Sequence, residues 1–360
     1  MPNTIRILSI DGGGIRGIIP AMVLQALLGK LKAQDVFHII AGTSTGGIIA
    51  CGLAKPNPVE PEQIVNLYVQ HGSEIFKKSL LDPVHYLYGP KYNSTALESH
   101  LASELGNVYL SGVENVQLLV PSYAIALPKE NPPGNTCAPM FFRSWQARGL
   151  LVPAGANAAE YDFKLASIAR ATSAAPTYFA PAKITNKAGQ SMIDGGVFAN
   201  NPTMCAIVEA HHLYDAPSQT VDVMVVSLGT GSNPIRIDAA AAMHWGDLSW
   251  AVPIISIFQD GNAQTVAFET EELIDDFHWR FDVSLATKTP QGEVVNGAID
   301  DASPENIKAL VNKAKQLIAD QHDRIEEVAK MLAQPKAKVQ PQDRMPPKGM
   351  MMSRERGAGV

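Results

Sequence analysis

The chain has 360 residues, 46% hydrophobic and 18% charged, with a formal net charge of −6. That is enough apolar material for one large domain or two ordinary ones. An acidic balance argues against a nucleic-acid polymer as the main partner, because phosphate binding is led by Lys and Arg. No run approaches the roughly 18 apolar residues that span a bilayer. The first residues enter a strand-like run without a basic, apolar and small-residue leader. The expectation is a cytoplasmic protein whose membrane contact is peripheral. Cys51, Cys137 and Cys205 are widely spaced with no C-x-x-C pair, and read as buried free thiols of a reducing compartment. A zinc site would need a ligand cluster that this spacing does not show.

Ile5 to Ile10 reads as a first buried strand, followed by Asp11-Gly-Gly-Gly-Ile-Arg-Gly17 and a helix from about Ala21 to Lys32 with Pro20 in its first turn. Gly12, Gly13 and Gly14 leave backbone N–H groups uncovered, a concave donor cluster suited to an anion or a developing oxyanion. The same letters satisfy G-x-G-x-x-G, the dinucleotide-binding pattern. That pattern wants an acid at the end of the second strand, about 20 residues on, to hold the ribose. Asp35 precedes the second strand, which ends in Gly42-Thr43-Ser44, so the ribose ligand is missing.

That second apolar run, Phe37 to Gly42, turns directly into another that begins after Gly47. Between them lies Gly-x-Ser-x-Gly. A strand turning sharply into a helix needs small residues on both sides, here Gly42 and Gly46, and holds the central residue up at the carboxyl end of the sheet. Ser44 is therefore a candidate nucleophile. A Gly/Ser/Thr loop with no chemistry is the plainer alternative for the pattern alone.

Further on, helical spacing marks Glu62–Gln70, and Tyr86, Tyr88 and Tyr92 fall in a Pro/Gly-punctuated loop before a helix over Ser94–Leu105. Strands are expected at Gln117–Ala124 and Met140–Trp145, and a helix at Phe163–Ser173. Met192-Ile193 delivers Asp194-Gly195-Gly196, either a carboxylate fixed at a strand end or an ordinary Asp-Gly turn. Val221–Leu228 reads as a central parallel strand. The stretch 235–268 carries Trp245, Trp250, Pro253 and Phe258, as core packing or as an apolar wall over the site. Phe281–Leu285 is expected as a last edge strand. Ser303-Pro304-Glu305 starts a helix whose apolar stripe runs to Val328. Beyond Ala333 come six basic and two acidic residues, against 23 basic and 33 acidic before it. This tail, 334–360, reads as disordered. Of the histidines after Asp194 (His211, His212, His244, His278, His322), none sits behind a Gly-flanked strand end, where a triad would place it.

Alternating strands and helices indicate an α/β fold, three layers with a mostly parallel central sheet. Asp11-Gly-Gly-Gly-Ile-Arg-Gly17, Gly42-Thr-Ser-Thr-Gly46 and Asp194-Gly-Gly196 together resemble the patatin-like phospholipase family. Ala171-Thr-Ser-Ala-Ala-Pro-Thr-Tyr-Phe179, Asn200-Asn-Pro202 and Ser227-Leu-Gly-Thr-Gly231 add to the match, which covers about residues 5–285. The resemblance implies a catalytic core over 5–202, with 203–333 completing the same domain. It implies a lipid acyl hydrolase of phospholipase A or lysophospholipase type that acts on membrane glycerolipids without metal or cofactor. Ser44 would attack the acyl carbonyl and Asp194 would take its proton. Gly12, Gly13 and Gly14 would hold the oxyanion, with Arg16 as an electrostatic helper. Some bacterial relatives are antiviral-defence effectors switched on by a cyclic nucleotide, and a homodimer is compatible with the family. The motifs do not separate such an effector from a housekeeping lipase. The alternative function is a nucleotide-binding or non-catalytic interaction protein using the Gly-rich loop.

Overall fold

β1 (Thr4–Ile10) is buried along nearly its whole length, and its side chains alternate between two separate apolar layers. Leu8 and Ile10 belong to one layer, Ile5 and Ile7 to the other. Successive side chains of a strand point to opposite faces, so a strand apolar on both must be covered on both. The computed structural model describes residues 4–77, 89–125, 137–184, 190–216, 220–232 and 237–342; Tyr86, Tyr88 and most of the expected tail lie outside these.

The sheet runs β5-β6-β3-β2-β1-β7-β8, with β4 also paired to β3. Its members are β2 (Ile39–Gly42), β3 (Gln117–Ile125), β4 (Ala138–Arg143), β5 (Ala182–Lys183), β6 (Ser191–Asp194), β7 (Asp222–Leu228) and β8 (His278–Phe281). β3, β2, β1, β7 and β8 are mutually parallel, whereas β4 and β6 run antiparallel to β3. On one face pack α1 (Ile18–Leu28), α2 (Thr45–Ala54), α3 (Pro61–Ile75), α4 (Thr95–Leu105) and α5 (Leu165–Thr172). α6 (Thr203–Tyr214) covers the other face with Ala206, Ile207, Ala210 and Leu213. This is the expected three-layer α/β/α arrangement. No helix among the described residues is long and apolar enough to cross a membrane.

Several boundaries differ from the sequence pattern for local reasons. β7 lies one strand in from the edge rather than at the centre. The edge strand β8 ends at Phe281, where the pattern expects it to begin. Asp282 turns the chain out of the ladder, its Oδ1 accepting the N–H groups of Gly231 and Val283 at 2.9 Å each. The C-terminal helix is two: α8 (Pro304–Asp320) and α9 (His322–Leu332), broken at Gln321. Only Cys51 is fully buried; Cys205 is partly exposed and Cys137 is exposed.

Residues 334–342 are not the free tail that composition suggests. The Lys336 ammonium donates to the carbonyls of Gln34, Phe37 and Asn115 at 2.7, 2.8 and 3.0 Å. His38 Nε2 meets the Ala337 carbonyl at 2.8 Å, and Gln342 N–H donates to Leu213 O at 2.6 Å. Three carbonyls at the ends of short elements converge there, and a single ammonium satisfies them. Because a hydrogen bond to a charged group contributes about 1.5–3 kcal/mol, Lys336→Ala should cost about 1–3 kcal/mol in urea denaturation. Lys338→Ala, at an exposed neighbour, should cost nothing measurable.

Candidate active site

Ser44 stands between β2 and α2 with φ 54° and ψ −122°, a left-handed conformation that L side chains rarely adopt. The cost of such a residue is about 1–3 kcal/mol. The surrounding chain holds it there. Ser44 N–H donates to Thr172 Oγ1 at 3.0 Å, Thr172 in turn donates to Pro121 O at 2.6 Å, and the Ser44 carbonyl accepts Ile48 N–H at 3.0 Å. The turn is tight enough to demand glycine on both sides. A Cβ on Gly42 would lie 2.1 Å from Gly46 O, and one on Gly46 would lie 2.2 Å from Ile10 O.

Asp194 arrives from the opposite direction, at the end of β6. Ser44 Oγ donates to its Oδ2 at 2.6 Å across 150 residues of sequence. The other carboxylate oxygen accepts Gly196 N–H at 2.7 Å. Asp194 is fully buried and Ser44 nearly so.

The glycine loop faces this pair: a Cβ on Gly12 would come within 3.2 Å of the Ser44 Cβ. Of the three expected donors, Gly12 is already committed, its N–H bonded to Asn200 O at 3.0 Å. Gly13 and Gly14 have no partner for their N–H groups among the described residues, and both line the same cavity as Ser44. Gly14 has φ +58°, and a Cβ there would strike Ile299 O at 2.0 Å, so this position needs glycine twice over. Arg16 does not line that cavity. Its guanidinium braces the loop from behind, donating to Gly13 O at 3.3 Å and Gly231 O at 3.2 Å. The Asp11 carboxylate is fixed by Arg280, at 3.0 and 2.6 Å. The loop is thus a wall of the Ser44 site, which leaves the dinucleotide reading without support.

The cavity is narrow, with a volume of ≈ 60 Å³, and is walled chiefly by apolar side chains, among them Ile48, Ile75, Phe76, Leu97 and Phe179. Among the described residues, no histidine lines it. His211 pairs with Asp215, His212 lies beside Glu209 and His322 beside Glu326, away from Ser44.

The sequence profile described as patatin-like phospholipase matches residues 8–207. The chain is 31% identical to patatin-like protein 2 of Oryza sativa subsp. indica over 89% of its own length and 85% of that protein. It belongs to the patatin-like phospholipase family. Patatin-like protein 2 of Arabidopsis thaliana is 30% identical, with 88% and 83% covered. Among solved structures, the human GIVD cytosolic phospholipase A2 aligns at 10% identity and TM-score 0.46, over 92% of this chain and 60% of that one.

In this member of the patatin-like phospholipase family, sequence reasoning missed the residues that hold the site together. Thr172 sits inside a motif that resembles the family, but its bond to Ser44 N–H has no sequence signature. Gln259 is buried on α7 (Asp247–Ile274) and borders both the Ser44 cavity and a larger polar groove beside it. The apolar wall expected over 235–268 is therefore a helix that brings an amide to the site, while Phe258 points outward, 57% exposed. Asn262, one turn on, ties α7 to the Asp194 turn through Phe198 O at 3.0 Å and Asn201 N–H at 3.1 Å.

Burial raises the Asp194 carboxyl from its ordinary 3.8 to about 7, although the Ser44 hydroxyl and Gly196 N–H both favour the charged form. The folded protein then holds this proton from about pH 4 to about pH 7, where the unfolded chain has released it. Stability from this group therefore falls as pH rises through that window and is level above it. Asp194→Asn keeps an acceptor for Gly196 and removes the buried charge. Its stability relative to the parent should rise between pH 5 and pH 8, measured by urea denaturation at both; a difference independent of pH would contradict the assignment.

Proposed function

We propose that the protein is a serine lipid acyl hydrolase, of phospholipase A or lysophospholipase type, that works through Ser44 and Asp194 by way of an acyl-enzyme. The observation that carries this reading is the 2.6 Å hydrogen bond from Ser44 Oγ to a fully buried carboxylate. Beside it lie two backbone N–H groups without a partner among the described residues, and an apolar cavity. The family membership supports lipid as the substrate class.

The chemistry follows from those positions. Asp194 accepts the hydroxyl proton as Ser44 Oγ attacks an acyl carbonyl, and the proton passes to the departing alcohol. Asp194 next takes a proton from water as that water attacks the acyl-enzyme, and then returns it to Ser44 as the fatty acid leaves. A carboxylate with a pKa near 4 would be a poor base for an alcohol. Burial lifts Asp194 to about 7, near the operating pH at which a general base is most effective. The N–H groups of Gly13 and Gly14 would meet the negative oxygen of the tetrahedral intermediate, each such donor lowering the barrier by about 3–4 kcal/mol. Arg16 acts one step removed, by holding the Gly13 carbonyl. A cyclic-nucleotide activator and a homodimer have no supporting contact among the described residues, and neither is needed to assemble this site.

Ser44→Ala and Asp194→Asn should each lower fatty-acid release from mixed phospholipid vesicles by at least about a thousandfold, as loss of a nucleophile or its base does elsewhere. Only the parent should be labelled at position 44 by a fluorophosphonate. Full turnover by either purified variant would remove the mechanism. In the parent, kcat/KM should rise with pH through about 7 and then level, because the base must be ionised. A profile flat from pH 5 to pH 8 would show that Asp194 is not the base.

A further inference from the structure

α3 and α4 wall the acyl cavity with Tyr68, Gly72, Ile75 and Leu97. On their other flank, His71 and Glu74 stand one turn apart on α3, and His100 faces them from α4. Glu74 Oε2 lies 3.6 Å from His71 Nδ1 and 3.1 Å from His100 Nε2. The two imidazole rings lie close together, centroids 4.4 Å apart and tilted by 40°. One ligand atom from each of the three residues falls within 4.8 Å of the others. Solvent reaches all three, with side chains 40%, 57% and 20% exposed for His71, Glu74 and His100.

Two imidazoles and one carboxylate are a common protein ligand set for zinc, which binds them at about 2.0–2.2 Å and leaves a fourth tetrahedral position for water. Tetrahedral geometry at those lengths sets ligand atoms about 3.3–3.5 Å apart. The separations from Glu74 to the two histidines, 3.6 and 3.1 Å, already lie close to that value. Closing the remaining gap needs only rotation of surface side chains. Calcium and magnesium prefer oxygen ligands and would leave both imidazoles unused. An ordinary histidine–carboxylate ion pair accounts for one contact, but not for a second imidazole brought close beside the first against the same oxygen.

We propose that His71, Glu74 and His100 bind a divalent transition metal of the zinc class, which ties α3 to α4 across the wall of the acyl cavity. The sequence-based expectation is that no such ligand cluster exists, and the proposal departs from it. The ligands lie 29 positions apart along the chain at their widest, His71 to His100, and only the packing of the two helices unites them. The site stands apart from the reaction at Ser44 and does not depend on it.

Titration of zinc chloride into the tag-free full chain, followed by calorimetry and thermal melting, tests the proposal, with magnesium chloride as the comparison. One zinc per chain should bind saturably and raise Tm, and magnesium should do neither. His71→Ala and His100→Ala should each weaken binding by at least about tenfold. Both positions are on the surface, so the metal-free variants should melt with the parent. His322→Ala, an exposed histidine on α9 paired with Glu326, should leave zinc binding unchanged. Backbone hydrogen exchange should slow in both 61–75 and 95–105 when zinc is added. The site is overturned by the absence of saturable binding at about 100 µM zinc, or by binding that survives the double variant His71→Ala/His100→Ala. Exchange that slows in neither helix would overturn the tie between them.

Discussion

The register of β3 brings the Ser44 hydroxyl and the Asp194 carboxylate together. β3 pairs with β2 in parallel through Gln117, Leu118 and Leu119, and with β6 antiparallel through Ser122 to Ile125. The carboxyl ends of β2 and β6 therefore approach one another along a single strand, from opposite directions. Ser44 follows the first end by two residues, and Asp194 is the last residue of the second. A slip of one position in either pairing would turn the side chains to the opposite face and separate hydroxyl from carboxylate. The close approach also needs bare backbone, since a Cβ on Gly195 would lie 2.3 Å from Pro121 O of β3.

Much of the surrounding structure compensates for what this placement costs. Ser44 carries a strained backbone, and Asp194 is taken out of water with only two hydrogen-bond donors. Asn200 Oδ1 is buried without a partner beside them. The compensating contacts come from several parts of the chain: Thr172 on Ser44 N–H, Arg280 on Asp11, and Asn262 on the Asp194 turn. The fold gives up stability at this one point and recovers it in the two apolar layers around the sheet, a common balance where function needs a destabilised group. The same burial that penalises the charge raises the basicity of the Asp194 carboxylate.

Ser44, Asp194, Gly13 and Gly14 were legible in the sequence because the roles proposed for them require particular residue types in short, contiguous patterns. Only glycine tolerates the backbone approach at Gly42 and Gly46, so the elbow carries its own signature. Gly12 and Arg16 belong to an equally clear motif, yet their tasks could not be read from it: Gly12 N–H is spent on Asn200 O, and Arg16 braces carbonyls instead of facing the cavity. Composition misled at 334–342, where Pro, Lys and Gln suggest disorder. One ammonium finding three carbonyls is enough to hold that segment down.

By itself, the sequence determined the alternation of strands and helices, the covering of the sheet on both faces, and the glycine-flanked positions of the reactive side chains. All of these follow from periodicity and local sterics over a few residues. Only the tertiary structure decided which donors stay free, that Gln259 reaches the cavity from α7, that β7 lies beside the edge strand, and that His71, Glu74 and His100 share one surface. Each of those depends on contacts between segments far apart in the chain, and no local pattern encodes the distance between them.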